Sequence, residues 1–261
     1  MAELPALVAR YVERAQATGS PERVRITQEG RMWMKPDGRA LRFAATEHFD
    51  VSRVGFVWRA RFPFGLRVVD GYKDRRGHLE LRFLGLPMRR QSGPELDEGE
   101  LLRYLAELPW VPHAMTQNPE LEWREVDEGA VDVSARGLTV RLRFDGAGDI
   151  VRASSEMRRF EGKRTPWGGV YSDYAVLDGI RLPTAAEVYW SSRPAALSTG
   201  ADACSRRQPK RRVLVGDECE GVARDAVAPA EHPGDEVEQP AGVAPGEEDG
   251  EPGEDRADDR G

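Results

Sequence analysis

Two carboxylates and an imidazole lie within five residues in the segment Thr46–Asp50, "TEHFD". Glu47, His48 and Asp50 could act as general acids and bases or bind a metal ion, provided that their side chains converge. The segment lies between β-like runs, and in a strand successive side chains point to opposite faces. His48 and Asp50 would then share one face and Glu47 would take the other. We therefore predict no metal site here, and a salt-bridge role for these charges is the simpler expectation.

Other catalytic signatures are sparse in the sequence. It contains no nucleophile elbow, no phosphate-binding loop and no dinucleotide fingerprint. Cys204 and Cys219 both lie near the C-terminus, so residues 1–190 offer no thiolate nucleophile. A pair of carboxylates could still act as general acid and general base, for instance Glu47 or Asp50 with Asp173. One hypothesis is therefore a hydrolase or isomerase that uses Glu47, His48 and Asp50, and no cofactor is predicted.

Arginines alternate with aromatic residues in "FVWRARFPFG" and "EMRRFEGKRTPWGG". At the mouth of an apolar pocket, an arginine can bind a carboxylate or phosphate through two parallel hydrogen bonds. The alternative is an amphipathic strand whose outward arginines pair with Glu47, Asp50 or Glu156 across strands. The candidate ligand-binding residues are Trp58, Arg59, Arg61, Arg159, Arg164, Trp167, Tyr171 and Tyr174.

The composition changes abruptly after Trp190. Residues 191–261 contain no Phe, Tyr, Trp, Ile or Met, and their 17 acids and 9 bases give a net charge of −8. Such a segment buries too little apolar surface to offset its ordering entropy, which predicts a disordered acidic tail rich in Ala, Gly and Pro. The abrupt change also raises the hypothesis of a shifted reading frame. The predicted single domain is residues 1–190.

The charge and hydropathy patterns limit the partners. Residues 1–190 carry a net charge of only +1, so no basic footprint for nucleic acid is expected. No window approaches 18 apolar residues and the N-terminus lacks an export signal, which predicts a cytoplasmic protein without a membrane span.

Hydrophobic periodicity defines the elements that must position these residues. A three-four spacing from Leu4 to Ala15 predicts a helix, and Leu101 to Leu108 predicts a second helix at about 97–108, with Asp97 and Glu100 at capping-box spacing. Short turns join the runs between, which favours antiparallel neighbours. The predicted strands are Phe56–Phe64, Leu66–Lys73, His78–Leu86, Leu121–Val126, Ala130–Arg136, Leu138–Asp145, Ile150–Phe160, Tyr171–Asp178 and Ile180–Tyr189. The expected fold is α+β: a curved antiparallel sheet, or half-barrel, covered by the two helices.

The hairpin "YSDYAVLDGIRLPTAAEVYW" at 171–190 resembles the closing hairpin of LolA-like lipoprotein carriers. More closely, "LPALVARYV", "EHFDVSRVGFVWRARFPFG", "LGLPMRRQSGPELDEGELLRYLAELPW" and "SSEMRRFEGKRTPWGGVYSDY" resemble a bacterial family of conserved proteins of unknown function, over residues 4–190. That family implies no activity. The remoter resemblance implies an open, curved sheet that binds an apolar chain.

The leading hypothesis is therefore a non-catalytic protein that binds a hydrophobic or amphipathic, lipid-like small molecule between sheet and helices. The segment Glu161–Val170 is longer than a hairpin needs, so it could be a lid over that pocket or a surface crossover with its Trp packed on the sheet edge. The resembling family continues past Trp190 with a further hairpin, which this chain lacks. A third hypothesis is thus an interaction module that acts through a free sheet edge.

Overall fold

A computed structural model describes residues 4–33, 39–160 and 162–190 and the backbone of 215–216. Its helices are α1 (Ala6–Ala15), α2 (Pro94–Glu107) and α3 (Pro112–Gln117), with short 3-10 turns at Pro63–Gly65 and Leu108–Trp110. Its strands are β1 (Arg23–Met32), β2 (Leu41–Asp50), β3 (Phe56–Arg61), β4 (Leu66–Lys73), β5 (Arg76–Phe83), β6 (Leu86–Gln91), β7 (Glu122–Asp127), β8 (Ala130–Ala135), β9 (Leu138–Phe144), β10 (Ile150–Ser155), β11 (Arg159–Phe160), β12 (Lys163–Arg164), β13 (Trp167–Leu177), β14 (Ile180–Trp190) and β15 (Val215–Gly216).

The main strands form two antiparallel sheets. The first sheet has the order β15-β1-β2-β3-β4-β5-β6, and the second has the order β14-β13-β10-β9-β8-β7. A separate hairpin pairs β11 with β12. Most connections join sequence neighbours through tight turns, as the Asp-Gly-rich links predict. The predicted α+β fold of antiparallel strands with an N-terminal and an inserted helix is confirmed, with the strands divided between two sheets.

Helix α2 lies between the two sheets. It contacts β4 and β5 of the first sheet and β8, β9 and β10 of the second. Its Leu102, Tyr104 and Leu105 are fully buried in one core that both sheets and the helices share. A β-carbon at Gly77 of β5 would lie 2.6 Å from the Leu96 carbonyl oxygen, so glycine is needed where the helix meets the sheet. The helix is therefore the element through which the two sheets are packed together.

Several predicted bounds are wrong. The run His78–Leu86 is two strands, β5 and β6, because the turn at Leu84–Gly85 reverses the chain. The strand Ile150–Phe160 ends at Ser155, and the capping box at Asp97 does not form. Helix α2 already begins at Pro94, and Asp97 Oδ1 instead accepts a 2.6 Å hydrogen bond from the Gly77 amide. Proline at the first helical position explains the earlier start.

The second sheet ends at β14, which leaves Trp190 in an edge strand of the described residues. The predicted tail, residues 191–261, lies outside the described residues except for β15, whose backbone pairs with Arg25 and Ile26 of β1. The reading-frame hypothesis stays a prediction.

Candidate functional site

A buried group of charges surrounds Arg103 on α2; we call it the Arg103 cluster, and it comprises Glu47, Asp70, Glu100, Arg103, Glu107 and Arg158. Arg103 donates hydrogen bonds to Glu47 Oε1 at 2.7 Å, Asp70 Oδ2 at 2.8 Å and Glu107 Oε1 at 3.1 Å. Its side chain is only 12% exposed. One guanidinium therefore binds carboxylates from β2, β4 and its own helix, which ties α2 to the first sheet.

Aromatic and amide groups hold this guanidinium and its main partner in place. The Arg103 guanidinium carbon lies 4.7 Å from the centre of the Phe56 ring and 5.3 Å from that of Trp58. Gln28 donates a 2.6 Å hydrogen bond to Glu47 Oε2 and accepts one at 2.9 Å from the Trp58 indole. Glu47, which is fully buried, thus has a polar partner for each oxygen, as burial of a charge requires.

The cluster holds more carboxylates than guanidiniums. Glu100 lies 3.7 Å from Arg103 and 3.5 Å from Arg158. Burial, and next the nearby charge of Asp70, raise the pKa of Glu100 to about 8. Burial also raises the pKa of Asp70, against the opposing effect of Arg103. Four carboxylates thus face two guanidiniums in the cluster, and the raised pKa of Glu100 favours its protonated form near neutral pH.

Replacing Glu100 with glutamine should flatten the pH dependence of stability. The pKa of Glu100 is raised in the folded state from 4.5 to about 8, so between these values the folded chain holds a proton that the unfolded chain has released. Stability must therefore fall as the pH rises through this window. Between about pH 5 and about pH 8 the free energy of unfolding should fall by roughly 1–3 kcal/mol less in Glu100→Gln than in the wild type. Urea denaturation at each pH measures it.

The matched control is Glu98→Gln on the same helix. Glu98 pairs with Arg159 at 3.2 Å, and its side chain is 37% exposed. Its removal should leave the pH profile within experimental error of the wild type. Equal profiles for Glu100→Gln and the wild type would show that Glu100 is ionised at neutral pH.

The Arg103 cluster lies apart from the two main surface hollows of the described residues. None of its carboxylates lines either of the two hollows described below. Among the described residues no group of three or more His, Cys, Asp or Glu is placed to hold a metal ion. Sequence analysis missed Arg103, although a signal existed: Arg103 interrupts the apolar run Leu101–Leu105 and has glutamates three residues before it and four after it.

The other face of the first sheet carries a surface hollow of about 500 Å³, which we call the arginine hollow. Its lining residues include Arg25, Thr27, Glu29, Ala44, Thr46, Arg59 and Arg61. Strand register places Thr46 between Thr27 and Arg59, and Ala44 between Glu29 and Arg61. Short side chains on β1 and β2 thus lie between longer charged ones. Alternation explains the arrangement, since the neighbouring Trp58 and Ala60 point into the core.

Two arginines of the arginine hollow are available to a ligand. Arg59 and Arg61 are exposed, and neither forms an ion pair with a carboxylate in the part of the chain that the structure describes. The predicted pairing of these arginines with Glu47 and Asp50 is wrong. Glu47 faces the core and binds Arg103, whereas Asp50 pairs with Arg23 at 2.9 Å and with Arg53 at 3.5 Å.

The outcome for "TEHFD" follows from the same alternation. Glu47 is buried on the core side, while His48 and Asp50 lie half-buried on the other side. The expected separation of Glu47 from the other two is confirmed, and the three side chains do not meet. Asp173 lies in the second sheet, on β13, at a left-handed φ of 56°. It is therefore in a different sheet from the two carboxylates suggested as its partners.

The aromatic candidates for ligand binding pack in the core. Trp58, Trp167 and Tyr171 are 3–5% exposed. The Tyr171 hydroxyl donates a 2.5 Å hydrogen bond to the Ala106 carbonyl, and the Tyr174 hydroxyl donates one of 2.7 Å to the Ile150 carbonyl. The structure does not bring these aromatic side chains together with Arg59 and Arg61, because they lie on opposite faces of a sheet or in the other sheet.

The segment 161–170 is not a ten-residue lid. Its first part forms the β11–β12 hairpin, in which Arg159 lies opposite Arg164, and Trp167 already begins β13. Trp167 packs against Trp190, with the Arg158 guanidinium carbon 4.3 Å from its ring centre. Trp167 thus lies in the strand next to the edge strand β14 and is buried against the core.

A second hollow, of about 730 Å³, lies between the α1–β1 connection and the β13–β14 turn. His113 lines it and is 3% exposed. The His113 Nε2 atom is 3.2 Å from the Thr18 carbonyl oxygen, and its Nδ1 has no hydrogen-bond partner among the described residues. The other polar residues that line this hollow are Gln16, Thr18, Ser20 and Asp178.

Three comparisons with known proteins bear on this site. A family of unknown function (DUF6544) has a model that matches residues 1–198. No curated protein matches the chain. A solved structure of a DUF1329 family protein from Desulfovibrio piger is similar at 11% identity and a TM-score of 0.42, with 71% of this chain and 85% of that one covered.

Proposed function

We propose that this chain, which belongs to the DUF6544 family of unknown function, binds a small amphipathic anion in the arginine hollow without catalysing a reaction. The observation that carries the proposal is the pair Arg59 and Arg61, which lie exposed two residues apart on one strand face, beside a hollow. Within the described ranges neither has a carboxylate partner. A phosphate or carboxylate could therefore bind both guanidiniums without first displacing an internal ion pair.

The size and lining of the hollow favour a small molecule. A volume of about 500 Å³ lies within the range of roughly 300–1,000 Å³ that is common for ligand sites. Ala44 and the methyl groups of Thr27 and Thr46 offer apolar contact beside the arginines. We thus place the charged end of the ligand at Arg59 and Arg61 and its apolar part over the short side chains. The cytoplasmic location that the sequence predicts stays part of this proposal.

Calorimetric titration of the full chain with dodecyl phosphate, below its micellar concentration, tests the proposal. We expect saturable one-to-one binding of dodecyl phosphate and weaker binding of dodecanoate, because two guanidiniums match a phosphate better than one carboxylate. Dodecanol, which has the same chain and no charge, is the matched control and should not bind measurably. Equal binding of dodecanol would show that the arginines do not select the ligand.

A further inference from the structure

The exposed large apolar side chains concentrate at one end of the first sheet. Eight such side chains occur among the described residues, and five of them lie at the β3–β4 turn or in the β5–β6 hairpin. We call these five the apolar tip: Phe64, Phe83, Leu84, Leu86 and Met88. A cluster of this kind on a protein surface is typical of a site that contacts an apolar partner.

The two turns that carry Phe64 and Leu84 are in contact with one another. The Leu84 amide donates a 3.1 Å hydrogen bond to the Gly65 carbonyl oxygen. A β-carbon at Gly65 would lie 2.6 Å from Leu84 Cδ2, so the turns are in direct contact. Phe64 and Leu84 therefore lie close to one another at the extremity of the sheet.

Two apolar residues of the tip combine a left-handed backbone conformation with high solvent exposure, and both features are energetically costly. Phe64 has a φ of 63° and is 84% exposed, and Leu84 has a φ of 51° and is 72% exposed. The left-handed region is costly for bulky side chains, and strained residues of this kind cluster where a protein binds something. Core packing accounts for neither side chain, since both point away from it.

A row of like charges borders the tip on the sheet face opposite the core. We call it the basic row: Arg31, Arg42, Arg61, Arg67 and Arg82. Strand register sets Arg31 opposite Arg42, Arg61 opposite Arg67, and Arg67 opposite Arg82. Like charges directly opposite one another destabilise a sheet. Only Arg82 of these five has a carboxylate ion pair in the described part of the chain, with Glu80 at 2.9 Å.

We propose that the apolar tip and the basic row together dock the protein on the surface of an anionic lipid bilayer. Aliphatic and aromatic side chains at the tip would enter the headgroup–acyl boundary, and the arginines would contact lipid phosphates. Juxtaposed apolar and cationic groups fit this partner in particular. Nucleic acid would use the basic row but would leave Leu84, Leu86 and Met88 without a matching surface. No described helix is long and apolar enough to cross the bilayer, so the contact is peripheral.

Co-sedimentation of the full chain with vesicles tests this inference. We expect binding to vesicles of equal parts phosphatidylcholine and phosphatidylglycerol, and about tenfold weaker binding to phosphatidylcholine alone. The double variant Phe64→Asn and Leu84→Asn should lose about tenfold or more in affinity for the anionic vesicles. Asparagine suits a left-handed backbone, so the variant should fold at least as well as the wild type.

The matched control replaces two exposed valines of the second sheet, Val126→Asn and Val176→Asn, and should bind the vesicles like the wild type. Equal loss in both double variants, or equal binding to both vesicle types, would overturn the inference. Binding to a duplex DNA fragment in place of vesicles, or concentration-dependent self-association that the tip variant abolishes, would assign the surface to those partners instead.

The experiments can refute the proposed small-molecule binding and the proposed bilayer contact independently of one another. The tip variant keeps Arg59 and Arg61, so it should still bind monomeric dodecyl phosphate. If the full chain binds vesicles but not dodecyl phosphate, small-molecule binding is wrong and the bilayer contact stands. The reverse result leaves the arginine hollow as the only one of the two sites that is supported.

Discussion

The change Arg103→Met is expected to lower the free energy of unfolding by about 3–5 kcal/mol. Arg103 is the common partner of Glu47, Asp70 and Glu107, and its side chain is 12% exposed. Its loss would leave several carboxylates buried without their counter-ion. Urea denaturation at neutral pH, compared with the wild type, measures the effect.

The matched control is Arg124→Met. Arg124 also binds a carboxylate, that of Asp132, but its side chain is 73% exposed and Arg141 binds the same carboxylate at 2.8 Å. The expected loss there is below about 1 kcal/mol. In the Arg103→Met background, Asp70→Asn should recover part of the stability, because one unpaired buried charge is removed. Equal losses for the two methionine variants would mean that the Arg103 cluster is no stronger than a surface ion pair.

The double change Arg59→Gln and Arg61→Gln is expected to weaken dodecyl phosphate binding by about a hundredfold or more. Each hydrogen bond between a charged donor and the phosphate contributes roughly 1.5–3 kcal/mol, and both donors are lost together. Neither arginine has a carboxylate partner among the described residues, so the fold should be little affected. Calorimetric titration gives the affinity, and thermal unfolding checks the fold.

An equal change of charge elsewhere on the sheet controls for long-range attraction. Lys73→Gln with Arg76→Gln removes two exposed cations where β4 turns into β5. That variant should bind dodecyl phosphate within about twofold of the wild type, because exposed charges beyond a Debye length are largely screened. A hundredfold loss in the control would assign the affinity to overall charge and not to the hollow.

Local patterns in the sequence predict much of the fold. Alternation alone separates Glu47 from His48 and Asp50 and turns Trp58 inward and Arg59 outward, and the structure confirms each. Short turns predict antiparallel pairing, and the three-four spacing predicts α1 and α2. These predictions succeed because each depends only on neighbours along the chain.

The ion pairs of the Arg103 cluster depend on contacts between elements that are distant along the chain. Glu47 meets Arg103, 56 residues later in the chain, only because α2 packs on the first sheet. No spacing rule relates the two. The sequence did not predict the apolar tip for a different reason. Phe83, Leu84 and Leu86 continue a β-like run, so the sequence predicted one strand where the chain turns with Leu84 in the left-handed region.

The central claim is that Arg59 and Arg61 bind the charged group of an amphipathic anion, and a structure of the full chain with dodecyl phosphate tests it most directly. We predict phosphate oxygens within about 3 Å of both guanidiniums, with the alkyl chain lying over Ala44 and Thr46. A phosphate bound elsewhere on the molecule, with Arg59 and Arg61 left in solvent, would contradict the claim.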